Sequence, residues 1–432
     1  MDKHTWIGFL LIAAIIVGFS MLNRPSKEEL AERQRVNDSI ALAQQLEAEA
    51  QQLSDAISAE LAAQNDSNAF SEEEINRHIA ATYGSFAPAA QGEEKDIVLE
   101  NNKVRLHFTT KGGTLARAEL KEYKAYGDSV NNLNLFRGEE TSLSFTLLTG
   151  NNRILATKNL YFQDLGQKVM ADGTEQTLRL LTDNEESYID FIYTLPEDDY
   201  MVRFNIVPHN MQHVLAQNVN SMEMQWTQLI PQQERGRKFE ERYAQLQYML
   251  PGGEMDKLSE QKYDKQTENA NVRWIAYKDQ FFSTVFIAND VFSSSTFEST
   301  PQDKTSNYIK EYKTKANVSL DITGAKPTSF RFYMGPNKYN TLKAYDADVE
   351  GDAKLHLKEL VPLGWKIVAW INKILVIPMF DLFTGWGLHI GTIILLMTLV
   401  IKLILLPFVF ASYKSSAKMR VLKPQIDEIN AK

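Results

Sequence analysis

The chain has 432 residues and no cysteine, and its 46 lysines and arginines against 55 aspartates and glutamates give a formal net charge of -9. Without thiols it forms no disulfide, holds no zinc–thiolate site and offers no cysteine nucleophile, while its length leaves room for two or three domains. Charge is unevenly spread: between Lys27 and Asp96 acids outnumber bases about threefold, and from Gly351 onward bases outnumber acids about twofold. The acidic stretch makes a poor nucleic-acid surface, so no direct DNA binding is expected, and the basic one adjoins an apolar span.

The first apolar run, Trp6 to Leu22 (WIGFLLIAAIIVGFSML), has a helical length of roughly 25 Å, near the lower limit for a bilayer span. A signal peptide is the rival reading, but SMLNRPSK offers no cleavage site of the A-x-A kind. Residues 1–27 are therefore read as an uncleaved anchor. Residues 28–62 follow as a long polar helix with a narrow stripe at Val36, Ile40, Ala43, Leu46, Ala50, Leu53, Ile57 and Leu61, the pattern of a spacer or loosely docked helix. Residues 63–96 are rich in Asn, Ser, Ala, Gly and acids and read as linker.

From Ile97 the period changes to two. Val104/Leu106/Phe108, Leu143/Phe145/Leu147, Val202/Phe204/Ile206, Met222/Met224/Trp226, Val318/Leu320/Ile322 and Phe330/Phe332 alternate with polar residues. Turn signals at Lys111-Gly112-Gly113, Gly150-Asn151-Asn152, Asp172-Gly173 and Pro251-Gly252-Gly253 separate them. This pattern predicts a large antiparallel β-sandwich over residues 97–350, with Glu234 to Asn271 as a polar helical or loop insertion. Chemistry-bearing residues in this region have structural explanations. His209 and His213 stand four apart but follow a strand and lack the glutamate of an HExxH motif, so they read as surface histidines. Asp198-Asp199 and Glu185-Glu186 read as solvated turns, because adjacent side chains diverge. Lys111-Gly112-Gly113 is too short for a phosphate loop. No metal site, cofactor site or catalytic constellation is expected.

Residues 351–387 mix apolar and basic side chains. Leu363, Ile367, Trp370, Ile371, Ile374 and Leu375 form one helical face, with Lys366 and Lys373 away from it and Trp365 near the boundary. Tryptophan beside lysine before a span predicts a helix lying in the membrane interface, with an ordinary packed helix as the alternative. Pro378 and the Thr384-Gly385-Trp386-Gly387 turn then redirect the chain into the bilayer.

Residues 388–411 form the second span, and Leu388 to Phe410 holds a single cation, Lys402. A charge at the bilayer centre costs roughly 2.5–3.5 kcal/mol on insertion-based scales, so Lys402 is the leading functional candidate. A 100° step puts Gly391, Thr398, Lys402 and Tyr413 near one angular position, a small and polar stripe unlike a lipid-facing surface. Lys402 either faces a polar groove or snorkels toward the cytoplasm, about 12 Å away by helical rise. Residues 412–432 continue as a basic helix in which Pro424 breaks or bends the path. Lys414, Lys418, Arg420 and Lys423 place this end in the cytoplasm, and with two spans everything from Arg24 to Gly385 lies outside, in the periplasm of a two-membrane bacterium. The basic helix suits either anionic lipid or a cytoplasmic partner.

The stretch GWGLHIGTIILLMTLVIKLILLPFVFASYKSSAKMRVLKPQI closely resembles the first conserved span of the YidC membrane-protein insertases and the cytoplasmic segment after it. Trp386-Gly387, Lys402, Pro407 and the run Tyr413 to Pro424, with Ala417-Lys418-Met419-Arg420 at its centre, carry the likeness. Weaker matches lie at Thr110-Lys111-Gly112-Gly113, Trp274-Ile275-Ala276 with Gln280-Phe281-Phe282, and Tyr333-Met334-Gly335-Pro336. The resemblance implies an insertase and not an enzyme: a β-supersandwich like that of sugar mutarotases, carried on membrane helices in the cytoplasmic (inner) membrane. It places Lys402, with Thr398 one turn before, in a hydrated groove open to cytoplasm and lipid but closed to the periplasm. It assigns Lys414, Lys418, Arg420 and Lys423 to the start of a cytoplasmic hairpin. Nascent membrane proteins, the Sec translocon with its accessory subunits, the ribosome and the bilayer are the implied partners. Two departures stand out. Many members carry arginine where this chain has Lys402, and the family has further spans after the hairpin, so the chain reads as the N-terminal part of such a protein. The alternatives are a two-span sensor with a periplasmic ligand-binding domain, and a tethered mutarotase-like carbohydrate protein whose histidines and a carboxylate would converge in one pocket.

Overall fold

The computed structural model describes residues 72–430 apart from Ser129 and Asn218. The expected anchor and the polar helix over 28–62 lie outside the described residues. Two compact units divide at Pro336 and Asn337.

Alternating side chains build the first unit. Strand Val104–Thr109 buries every second residue, and Ser221–Pro231 does so along its eleven residues, as a pleated strand with one face in a core must. Asp96–Glu100, Val104–Thr109, Leu115–Lys124 and Asn132–Arg137 form a four-stranded sheet in chain order. A 14-stranded sheet takes the rest. Its hinge is Phe282–Pro301, a strand of 20 residues. The first half pairs with Thr328–Pro336 and Val272–Lys278, and the second half with Tyr308–Ser319. Between them the register breaks at Ser293/Thr296 and Ser294 takes φ 48°, a bulge that lets one strand serve two layers.

The core lies between those layers. Phe145, on the strand Thr141–Leu148, stands 5.8 Å from Phe191, 6.1 Å from Phe204 and 6.0 Å from Phe330 on the opposing layer, measured between ring centroids. Further along, Trp226 stacks on Tyr277 at 3.6 Å and 13°. Burying each such side chain contributes about 1.5–3 kcal/mol. The predicted antiparallel sandwich is what the chain forms.

Turn glycines are used where the backbone requires them. At Thr110-Lys111-Gly112-Gly113 both glycines have positive φ, and a Cβ on Gly113 would sit 2.8 Å from the Phe162 ring. This motif is a tight turn closed by Gly112 N–H donating to Leu160 O at 2.8 Å.

Two stretches differ from expectation. The linker expected over 63–96 contains a helix, Glu72–Tyr83, and a 3-10 turn, Gly84–Ala89. Phe86 and Ala89 are buried, and the segment is sewn down by Asp183 N–H to Ser85 O and Tyr161 N–H to Ala89 O, both 2.7 Å. A single phenylalanine anchors it, too little for periodicity to register. The insertion expected over 234–271 holds a short helix, Arg237–Tyr243, but also the strands Gln245–Met249, Met255–Lys257 and Asp264–Glu268. Met255–Lys257 and Asp264–Glu268 are short, mostly polar edge strands that a hydrophobic pattern does not show, whereas Gln245–Met249 pairs on both sides and buries Leu246, Tyr248 and Met249.

Glu240 of this insertion forms a buried carboxyl pair with Asp279, which lies beyond it. The Glu240 carboxylate accepts the N–H groups of Gln233 (2.6 Å) and Glu234 (3.3 Å) and faces Asp279. Burial, then the Glu240 charge, pushes the Asp279 carboxyl well above the usual carboxylate range. The folded state therefore holds this proton to higher pH than the unfolded chain does. The resulting stability is complete below about pH 4 and is lost as pH rises through the folded value. Asp279→Asn keeps the shape without the charge. It is expected to stabilise the chain near neutral pH by about 1–3 kcal/mol and to have little effect near pH 4. Denaturant unfolding at the two pH values checks this, and an equal shift at both would contradict the assignment.

The second unit begins with the short helix Tyr339–Ala344 and two 3-10 turns, Gly351–Ala353 and Leu357–Leu360, over buried Leu342, Leu355, Leu357 and Leu360. A helical stretch from Lys366 to Gly385 follows, with a π turn at Asn372–Val376 immediately before Ile377-Pro378. The wider turn relieves the clash a proline ring makes with the carbonyl one turn earlier. The chain then reverses at Thr384–Gly387, where Gly387 has φ 68° and donates its N–H to Thr384 O at 2.9 Å. The last helix, Ile390–Asn430, runs 41 residues. It continues through Pro407 and Pro424, each of which removes one N–H from the helical hydrogen-bond ladder. The break considered for Pro424 does not occur.

Candidate substrate groove on the second apolar helix

Two stretches, Lys366–Gly385 and Ile390–Arg420, are long and apolar enough to cross a membrane. They pack through Met379 and Phe383 on the first and Ile393 on the second, with Leu396, Met397, Val400 and Ile401 half-buried against them. Those five residues of the second helix follow steps of three and one, which keeps them on one face.

By the same 100° step Lys402 lies 180° from Ile393, and Gly391, Thr398 and Tyr413 fall within about 40° of the same direction. The polar stripe therefore lies opposite the packed face. Lys402, Thr398 and Tyr413 are exposed. The Thr398 hydroxyl donates to Ile394 O at 2.8 Å, which satisfies it within its own helix. Among the described residues Lys402 has no hydrogen-bond or ion-pair partner. Preceding helix and polar stripe thus do not meet among the described residues.

On the basic end, Lys414, Lys418 and Arg420 are exposed. Lys414 and Lys418 share a face, whereas positions 420 and 423 lie on another. The cations surround the helix instead of forming one docking stripe.

The residues set aside in the sandwich have local partners. His209 stacks on Tyr188 at 4.4 Å and stands 3.6 Å from Asp190, whose carboxylate takes a bidentate pair from Arg179 at 2.7 and 2.8 Å. His213 ends a 3-10 turn and is exposed. Asp198 pairs with Lys103 at 3.6 Å, and Asp199 accepts the N–H of Met201. Glu185 and Glu186 are exposed in a turn. His78, His107 and His209 occupy three different elements of the first unit, and His356 and His389 belong to the second. Among the described residues of the first unit, His107 and His209 each meet a different aspartate, Asp96 and Asp190. Among the described residues no group of three or more His, Cys, Asp or Glu is placed to hold a metal.

Two family models match the chain, and they divide between residues 378 and 380. Residues 96–378 match the family model described as the YidC periplasmic domain, and residues 380–432 match that of the 60Kd inner membrane protein. The membrane protein insertase YidC of Parabacteroides distasonis is 42% identical over 436 residues, covering 100% of this chain and 67% of the relative. That of Phocaeicola vulgatus is 40% identical over 433 residues, covering 100% and 66%. The chain spans about two thirds of the length of these relatives. A crystal structure of YidC from Thermotoga maritima is 14% identical, covers 75% of this chain and 72% of that chain, and gives a TM-score of 0.31. The protein is an inner-membrane protein whose large β domain is periplasmic. Sandwich, apolar helices and sequence identity along the whole chain lead to one assignment: the chain belongs to the family of YidC membrane protein insertases.

Proposed function

We propose that the protein inserts newly made membrane proteins into the cytoplasmic membrane, and that the stripe carrying Lys402 and Thr398 lines the substrate's entry groove. The observation that carries this reading is a charged residue inside a span, on the face opposite its described packing partner, in a chain 42% identical to a membrane protein insertase. The mechanism is physical. Water held at the groove shortens the hydrocarbon path for the polar N-terminal tail of the substrate, and the Lys402 ammonium attracts acidic residues of that tail. The substrate's apolar helix slides into lipid alongside, driven by about 0.8 kcal/mol per CH2 removed from water. The other walls of the groove come from further helices, for which the relatives' additional length leaves room.

In the same reading the helix from Lys366 to Gly385 lies along the outer interface, despite being long enough to span. Trp365 and Trp370 are exposed at 72% and 63%, beside exposed Ile367, Ile371 and Ile374, a composition suited to the headgroup boundary. The periplasmic family match runs through residue 378, well into this helix. Lys414, Lys418, Arg420 and Lys423 then contact the cytoplasmic leaflet or the ribosome, and the Sec translocon and its accessory subunits approach from the side. A two-span sensor would leave the Lys402 stripe without a task.

Reconstitution tests the proposal. Full-length protein in liposomes should protect the translocated tail of a single-span substrate from external protease. Protection no greater than in empty liposomes would remove the assignment.

A further inference from the structure

The second unit carries a basic pocket that the insertase reading does not use. It lies between the helix Tyr339–Ala344 and the turns Gly351–Ala353 and Leu357–Leu360, has a volume of ≈ 370 Å³, and is lined by Asn340, Lys343, Asp346, Lys354 and Lys358 among others. Lys354 and Lys358 are half-buried and Lys343 is exposed. Among the described residues none of the three ammonium groups has a hydrogen-bond or ion-pair partner. Asp346 is the one carboxylate on the lining, and it is already engaged. Its two oxygens accept the N–H groups of Leu355 (2.6 Å) and His356 (2.9 Å). Asp348, Glu350 and Glu359 are exposed and lie off the lining. The pocket walls are held in place by Leu342, Leu355, Leu357 and Leu360 beneath them, each at most 2% exposed. Three lysines line this pocket against one lining carboxylate, so an anion placed among them gains charge interactions.

The pocket is tied to the amphipathic helix. Asn340 Nδ2 donates to Asp381 Oδ2 at 2.5 Å, and Lys373 Nζ stands 5.9 Å from the Tyr339 ring centroid. Trp365, Ile367 and Trp370 of that helical stretch are exposed. A helix whose apolar side enters the outer leaflet brings the pocket to headgroup level. The geometry points to a binding site for the phosphate of an anionic phospholipid headgroup, formed by Lys343, Lys354 and Lys358 with Asn340 beside them. This site rests on the membrane placement of the helix argued above. Its ligand is a lipid of the periplasmic leaflet, so it is separate from any contact the basic cytoplasmic helix makes.

Photolabelling of the full-length protein in bilayers tests the site. Phosphatidylglycerol and phosphatidylcholine carrying a photoreactive group on the headgroup are crosslinked, and the labelled peptides are mapped. Labels on residues 337–360 with phosphatidylglycerol but not phosphatidylcholine are expected. They should fall at least about tenfold in the triple variant Lys343→Gln/Lys354→Gln/Lys358→Gln. Labels on residues 365–374 should persist in that variant, and an unchanged melting temperature shows that it folds. Equal labelling by both lipids, or labelling of 337–360 that survives the triple substitution, overturns the site while leaving the membrane placement intact. Absence of label on 365–374 overturns the placement and the site together. Labelling of 337–360 by a water-soluble photoreactive phosphate as strong as that by phosphatidylglycerol identifies a soluble-phosphate site and overturns the lipid assignment.

Discussion

Lys402→Glu in the full-length insertase is expected to lower insertion of substrates with acidic N-terminal tails by at least about tenfold, Lys402→Ala by less, and Lys402→Arg hardly at all. Two unit charges 4 Å apart interact by about 1 kcal/mol in water and about 4 kcal/mol at an effective dielectric of 20. Reversing the sign at position 402 turns that attraction into repulsion of similar size. Alanine only removes it. Arginine keeps the charge and presents its donors in one planar fork. The position matters as much as the charge. Because Lys402 projects from the face opposite Ile393 and Val400, these substitutions do not disturb the described contact with Met379 and Phe383. Insertion of acidic-tailed and neutral-tailed substrates should be compared in the same vesicles, with carbonate extraction confirming that each variant is itself integrated. If Lys402 merely snorkels to the interface, acidic and neutral tails will be affected alike. Undiminished insertion of the acidic tail by the glutamate variant would end the groove assignment.

Lys402 was legible in the sequence because a bilayer makes an isolated charge expensive; no fold was needed to notice it. Which side of the helix it occupies relative to its neighbour was another matter. In a run as apolar as residues 390–410, Ile393, Leu396, Met397, Val400 and Ile401 look no different from the leucines that point elsewhere. Only packing against Met379 and Phe383 distinguishes them. The lysines of the headgroup pocket were illegible for the opposite reason. Lys343 ends a short helix, Lys354 follows one 3-10 turn and Lys358 lies in another, and no periodicity joins elements this short; the four buried leucines beneath bring them together.

The sandwich was legible wherever one face of a strand is wet and the other dry. Met222, Met224 and Trp226 alternate with Glu223 and Gln225, and the burial follows suit. Legibility failed at edges and bends. Asp264–Glu268 is polar on both sides because it borders the sheet. The bend inside Phe282–Pro301 relies on Ser294 at positive φ, a conformation that no glycine or asparagine announces. Tight turns of the Gly112-Gly113 kind were easy to read by comparison, since the backbone there excludes side chains altogether.

The largest stability effect should come from the centre of the sandwich. Phe204→Ala is expected to cost about 3–5 kcal/mol, the range for truncating a buried phenylalanine. Its ring is fully buried. It stacks on Tyr193 at 4.4 Å and 4°, and stands 5.3 Å from Phe191 and 5.7 Å from Phe330. Tyr193 and Phe330 are also its register partners on the two flanking strands. The same ring is 6.1 Å from Phe145 on the opposing layer. One truncation therefore loosens three neighbouring strands and the contact between layers, and large flat rings held by sheet backbone cannot collapse into the space. Phe239 supplies the contrast: it is 65% exposed on the short insertion helix, so Phe239→Ala should stay within about 0.5 kcal/mol of wild type. Urea unfolding followed by tryptophan fluorescence can measure both. Domains of this kind have about 5–15 kcal/mol in reserve, so Phe204→Ala should remain folded in buffer with its midpoint displaced well below that of Phe239→Ala. Coincident midpoints for the two variants would mean that the aromatic cluster is not where the layers are held together.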